Sequence, residues 1–120
     1  MTNPQPIDFY DADPDEPEAE PDWKNRIYEV FNADRTVGVA CNRDGEVIGL
    51  HLDDEARENG DSWLASEIVK LARLAHLKSR VGLREEMEYN GSRPYVVDSF
   101  DLPTENSYRS MERAELGTTS

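Results

Sequence analysis

Between Asp61 and Arg80 the chain sets apolar residues on two faces of one helix, where a small domain ordinarily buries a single face. At about 100° per residue, Leu64, Ile68, Leu71, Ala72 and Ala75 line up as a stripe suited to covering a sheet. Leu74, Leu77 and Val81, spaced i, i+3, i+7, form a second stripe roughly opposite. A chain of 120 residues has room for one domain. The second stripe therefore predicts a partner, either a homodimer or a protein heterocomplex docked on Leu74, Leu77 and Val81.

The partner of the first stripe is expected just upstream. Arg26–Phe31, Thr36–Asn42 and Glu46–Leu52 are rich in β-branched and aromatic types and predict three strands. Arg43-Asp44-Gly45 is a hairpin loop in which Gly45 supplies the left-handed position. If Asn42 faces Glu46, Cys41, Val39 and Val37 pair with Val47, Gly49 and His51 on one face, and Ala40, Gly38 and Thr36 pair with Ile48, Leu50 and Leu52 on the other. The second face alternates small and large residues and is expected to carry the helix. That leaves Val37, Val39 and Val47 as a spare sheet face, a second candidate partner surface. The resulting fold class is α+β: a small three-stranded antiparallel sheet followed by one long packed helix, flanked by tails.

Asp53–Gly60 predicts a loop, with Asp61 or Ser62 as N-cap of the helix. Gly82 is expected to end or kink it, and Leu83–Tyr89 can continue it up to the stop at Asn90-Gly91-Ser92. Beyond, Tyr95-Val96-Val97 predicts a short strand or docked segment, and Ser107–Leu116 a marginal helix. No internal repeat stands out. The domain is thus expected over residues 23–91, with residues 92–120 mostly mobile.

Charge separates the ends from the middle. The chain carries 26 acids against 13 bases, yet residues 1–22 alone hold eight acids and no Lys or Arg, with five prolines. Such a stretch buries too little apolar area to offset its ordering entropy and predicts a disordered tail. Ile7, Phe9 and Tyr10 form the one aromatic cluster in it. A tail of this sign repels phosphate, which argues against nucleic acid as the main partner. No run approaches the roughly 18 apolar residues of a membrane span, and the N-terminus lacks the basic and apolar regions of a secretory signal. The expected compartment is the cytoplasm, with Cys41, the lone cysteine, as a small buried hydrophobe.

Chemistry-bearing residues are sparse. His51 and His76 are the only histidines, and His51 with Asp53 supplies two of the three or four ligands a zinc site needs. Asp53-Asp54 and Glu85-Glu86 are paired carboxylates without a dry pocket to separate their roles. Ser62, His51 and Asp53 make a nucleophile–base–orienter set only on paper, since no nucleophile-elbow motif surrounds them. The expectation is no enzyme, no metal, no cofactor and no small-molecule ligand. Lys70, Arg73, Lys78, Arg80 and Arg84 give the helix a basic side that either contacts phosphates or is simply solvated.

The pattern V-x-V-x-x-N-x-x-G-E-V over Val37–Val47, followed by the helix segment Leu64–Ala75, resembles the C-terminal half of YbaB/EbfC-type proteins. With an acidic N-terminal segment before the strands, the arrangement is most similar to mycobacterial EspH-like proteins associated with type VII (ESX) secretion loci. The resemblance spans roughly Arg26–Tyr89. It implies a non-enzymatic interaction module, an adaptor or chaperone-like accessory of actinobacterial type VII secretion; the alternative it implies is a nucleoid-associated DNA binder. YbaB-type proteins begin with a long helix tied to dimer formation and DNA binding, whereas this chain has the acidic residues 1–22 there. Tyr108-Arg-Ser-Met-Glu112 also fits the loose Tyr-x-x-x-Asp/Glu pattern of type VII export signals, without the paired Trp-x-Gly turn.

Overall fold

A computed structural model describes residues 21–117. The expected tail, with Ile7, Phe9 and Tyr10, lies almost wholly outside the described residues. After a single 3₁₀ turn at Trp23–Asn25 come three strands, β1 (Tyr28–Phe31), β2 (Val37–Cys41) and β3 (Val47–Leu52). They form an antiparallel sheet in the order β1-β2-β3. A one-turn helix α1 (Asp54–Arg57), the long helix α2 (Asp61–Tyr89), and two shorter helices α3 (Pro94–Ser99) and α4 (Glu105–Leu116) follow. The fold class is α+β, as the residue patterns predict.

The two turns of the sheet are built alike. Asn32-Ala33-Asp34-Arg35-Thr36-Val37 and Asn42-Arg43-Asp44-Gly45-Glu46-Val47 share the pattern Asn-x-Asp-x-x-Val. In the first, Asn32 Oδ1 accepts from the backbone N–H of Thr36 (2.9 Å) and Val37 (3.1 Å). In the second, Asn42 Oδ1 accepts from Asp44 (2.9 Å) and Glu46 (3.0 Å). In both, the fourth residue turns left-handed (Arg35 φ 61°, Gly45 φ 85°) and donates its N–H to the Asn carbonyl at 3.0 Å. The short side-chain amide thus replaces backbone partners that the reversing chain cannot supply. The strand region therefore does contain a repeated unit, visible once its hydrogen bonds are known.

The sheet face that carries α2 is the opposite of the expected one. Cys41 pairs with Val47 as expected, but Ile48 is then bulged out, so Ala40 faces Gly49, Val39 faces Leu50 and Val37 faces Leu52. Val37, Val39 and Cys41 lie fully inside the core beneath α2, together with Tyr28 and Val30 of β1. The physical reason is area: β-branched side chains offer α2 more apolar surface than the Gly38–Ala40 face. Val37 and Val39 therefore do not form a spare surface. The outward face is the small-residue one, where the Phe31 ring lies over Gly38 and the His51 ring meets Phe31 edge-on at 5.7 Å.

Helix α2 runs unbroken through Gly82. Gly82 is where the helix presses on β1: a Cβ there would collide with the Tyr28 hydroxyl and ring, so the glycine marks a close crossing, not an end. Gly60 (φ 94°), not Asp61 or Ser62, is the N-cap. The second stripe of α2 is also covered from within the chain. Leu74 and Val81 are buried in one cluster with Tyr108 of α4, and Leu77 and Leu116 pack partly against it. The region expected to be mobile thus completes the core. α3 begins on Pro94 and buries Val97, so Tyr95–Val97 docks as a helix and not as a strand. α4 is capped by Thr104, whose Oγ1 accepts from Ser107 N–H (3.1 Å), and ends on Gly117 in the left-handed conformation. Leu74 and Val81 accordingly serve the monomer core and are not offered to a partner.

Candidate interaction surface

With both expected partner stripes largely internal, the uncovered apolar residues lie elsewhere. α2 crosses β1 and β2 and scarcely touches β3. Three neighbouring side chains of β3 are left in solvent: Val47 at 57%, Ile48 at 52% and Leu50 at 52% exposure. Of the expected spare-face residues only Val47 is on this surface. Ile48 and Leu50, which the residue patterns assigned to the face beneath the helix, belong to it as well.

Among the described residues β3 is also an edge strand, with no strand paired along its outer side. The Asp53 N–H donates inward to Thr36 O (2.8 Å). Because antiparallel ladders alternate, the peptide groups of Leu50 and Leu52 then point away from β2. The edge is bracketed by acids, with Asp44 and Glu46 before the strand and Asp53, Asp54 and Glu55 after it, against two bases, Arg57 and Arg43, the second of which is paired with Glu86. Asp53 also accepts from Glu55 N–H as the cap of α1 (3.4 Å), which stops the strand there.

The edge is held rigidly at its hairpin end. Arg43 makes a bidentate pair with Glu86 (Nε–Oε1 2.8 Å, Nη2–Oε2 2.6 Å), and this hydrogen bonding holds the Glu86 carboxyl below its usual value. The Arg43 carbonyl accepts from Arg80 Nη2 (2.6 Å). Gly45 O lies 3.0 Å from His76 Nδ1, which must carry the proton to donate. A partner would therefore meet a preformed strand.

The remaining candidates are spoken for. Each base on the helix has an internal partner: Lys70 pairs with Glu67, Arg73 with Glu115 and Arg84 with Asp98. Lys78 donates to Glu29 O and Arg80 to Arg43 O. His51 is committed to the Phe31 ring and Asp53 to its cap, and no hydrogen bond joins them to Ser62 among the described residues. Among the described residues no three His, Cys, Asp or Glu converge as a metal site requires, and no helix is long and apolar enough to cross a membrane. Tyr108 is 5% exposed and donates to Glu112 Oε2 (3.3 Å); burial and the nearby Glu112 raise its phenol pKa. The Tyr-x-x-x-Glu pattern is thus folded into α4, facing α2.

No protein-family model matches the chain, and no curated protein or solved structure matches it either.

Proposed function

We propose that this protein is a non-enzymatic interaction module that binds another protein along the open side of its sheet. The observation that carries the reading is the β3 edge, where Val47, Ile48 and Leu50 stand more than half exposed on a strand whose one tie to the core is the partly buried Leu52. An apolar, unpaired edge invites aggregation unless something covers it. The role fits an adaptor or chaperone-like accessory in the cytoplasm, and the likeness of Val37–Val47 and Leu64–Ala75 to YbaB/EspH-type proteins supports a place beside type VII secretion. A heterocomplex accounts for this surface better than a homodimer, because the α2 stripe expected to join two copies is occupied by α4.

Selection of a displayed random-peptide library against the full chain tests the reading. Ligands should be enriched by the wild-type protein and lost with the double variant Ile48→Asp/Leu50→Asp, whose two positions are exposed and leave the fold intact. Enrichment that is equal for wild type and double variant, or none at all, overturns it.

A further inference from the structure

We infer that the β3 edge takes up an extended segment of a partner by strand addition, and that it selects segments with apolar residues in the middle and Lys or Arg at both ends. The inference rests on the reading of β3 as the interaction surface and names what that surface accepts.

The backbone supplies the first half of the argument. Leu50 and Leu52 turn their peptide groups away from β2, so an incoming strand finds donors and acceptors already in line. The Ile48 bulge and the α1 cap limit the regular edge to Gly49–Leu52, about four residues of a partner strand. Val47 and Leu50 belong to the helix side of the sheet, where α2 leaves β3 uncovered, and alternate apolar residues of the added strand would cover them.

Charge supplies the second half, and it decides between occupants. A second copy paired antiparallel about Gly49 sets Asp44 opposite Asp54 at both ends, between chains of net charge −13 each. The chain's own N-terminal segment is equally unsuited, since residues 1–22 hold eight acids and no base. A partner segment with basic ends meets Asp44 and Glu46 at one end of the strand and Asp53, Asp54 and Glu55 at the other. Those acids repel the two nearest competitors and attract the occupant that remains.

Two synthetic peptides test this against the full-length protein: an alternating Val-Thr segment ending in two lysines on each side, and the same segment ending in glutamates. Titration followed by amide chemical shifts should place the lysine peptide on Val47–Leu52. At about 20 mM salt it should bind at least ~10-fold tighter than the glutamate peptide, with the gap closing toward ~2-fold at about 500 mM. The variant Asp44→Lys/Asp54→Lys should reverse the preference, its fold checked by circular dichroism. Leu50→Pro, which removes one outward N–H and spares the ladder to β2, should lose the lysine peptide at least ~10-fold. Equal binding of the two peptides, or of neither, overturns the inference, as does concentration-dependent self-association through β3. If library ligands still depend on Ile48 and Leu50 while the charge preference is absent, the interaction surface stands and the strand-addition inference alone falls. If no ligand depends on β3, both fall.

Discussion

β1 and β3 are the two edges of one small sheet, and the molecule treats them in opposite ways. The outer side of β1 looks into a groove of ≈ 360 Å³ whose far wall is Glu112 and Leu116 of α4, with Glu29, Phe31 and Arg35 on the near side. Its two core residues, Tyr28 and Val30, are buried, and α2 crosses directly over them at Gly82. Among the described residues no helix packs closely on β3, and it shows three large apolar side chains to solvent. α4 thus stands across a groove from the β1 edge, and among the described residues no helix stands in that way beside β3.

The contrast can be broken most severely at α4. Tyr108→Ala removes the aromatic that joins α4 to Leu74 and Val81, and should cost about 3 kcal/mol of stability in a urea titration. With α4 loosened, the groove beside β1 loses its far wall, and the variant should associate more at high concentration than wild type. Gly82→Ala strikes the same edge from above: the new methyl meets the Tyr28 ring, and about 2 kcal/mol should be lost.

The hairpin that bears β3 offers a test by pH. Arg43 holds the Glu86 carboxyl below its ordinary value of 4.5, so this pair stabilises the fold fully above that pH. The contribution drains away as pH falls through the lowered native value. Arg43→Met should flatten that acid limb and lower neutral stability by about 1 kcal/mol, the modest size reflecting the partial exposure of Arg43. The smallest stability effect belongs to the open edge. Leu50→Ala should change the unfolding free energy by less than about 0.5 kcal/mol, in contrast to Leu74→Ala at about 3 kcal/mol. Equal losses at positions 50 and 74 would erase the distinction between presented and structural leucines.

How far the residues foretell this arrangement differs from place to place. Asn42–Glu46 announces its hairpin because Gly45 and the Asn42 side chain settle the turn locally. The strands and α2 follow from apolar spacing in the same way. The helix-bearing face did not, and the cause lies in Val47-Ile48-Gly49-Leu50. This stretch is apolar on both alternations, so period two cannot choose a side, and the Ile48 bulge shifts the register with only the adjacent Gly49 to mark it. The second stripe of α2 is legible as apolar, but its occupant is not, because α4 buries little beyond Tyr108 and part of Leu116 and looks polar in sequence. The surplus of leucine is real; its destination is α4, which opens at Glu105, 16 residues past the end of α2 at Tyr89.

The twin Asn-led turns carry one more consequence. They make the sheet modular, a ten-residue step from Asn32 to Asn42 that delivers one strand each time. One further step falls on Leu52, and there the module is not renewed: Asp53 caps α1 and the chain leaves the sheet. The open edge is the place where a further step would lay a fourth strand, and none stands there among the described residues. A binding partner would supply from outside the unit that the repeat leaves unwritten.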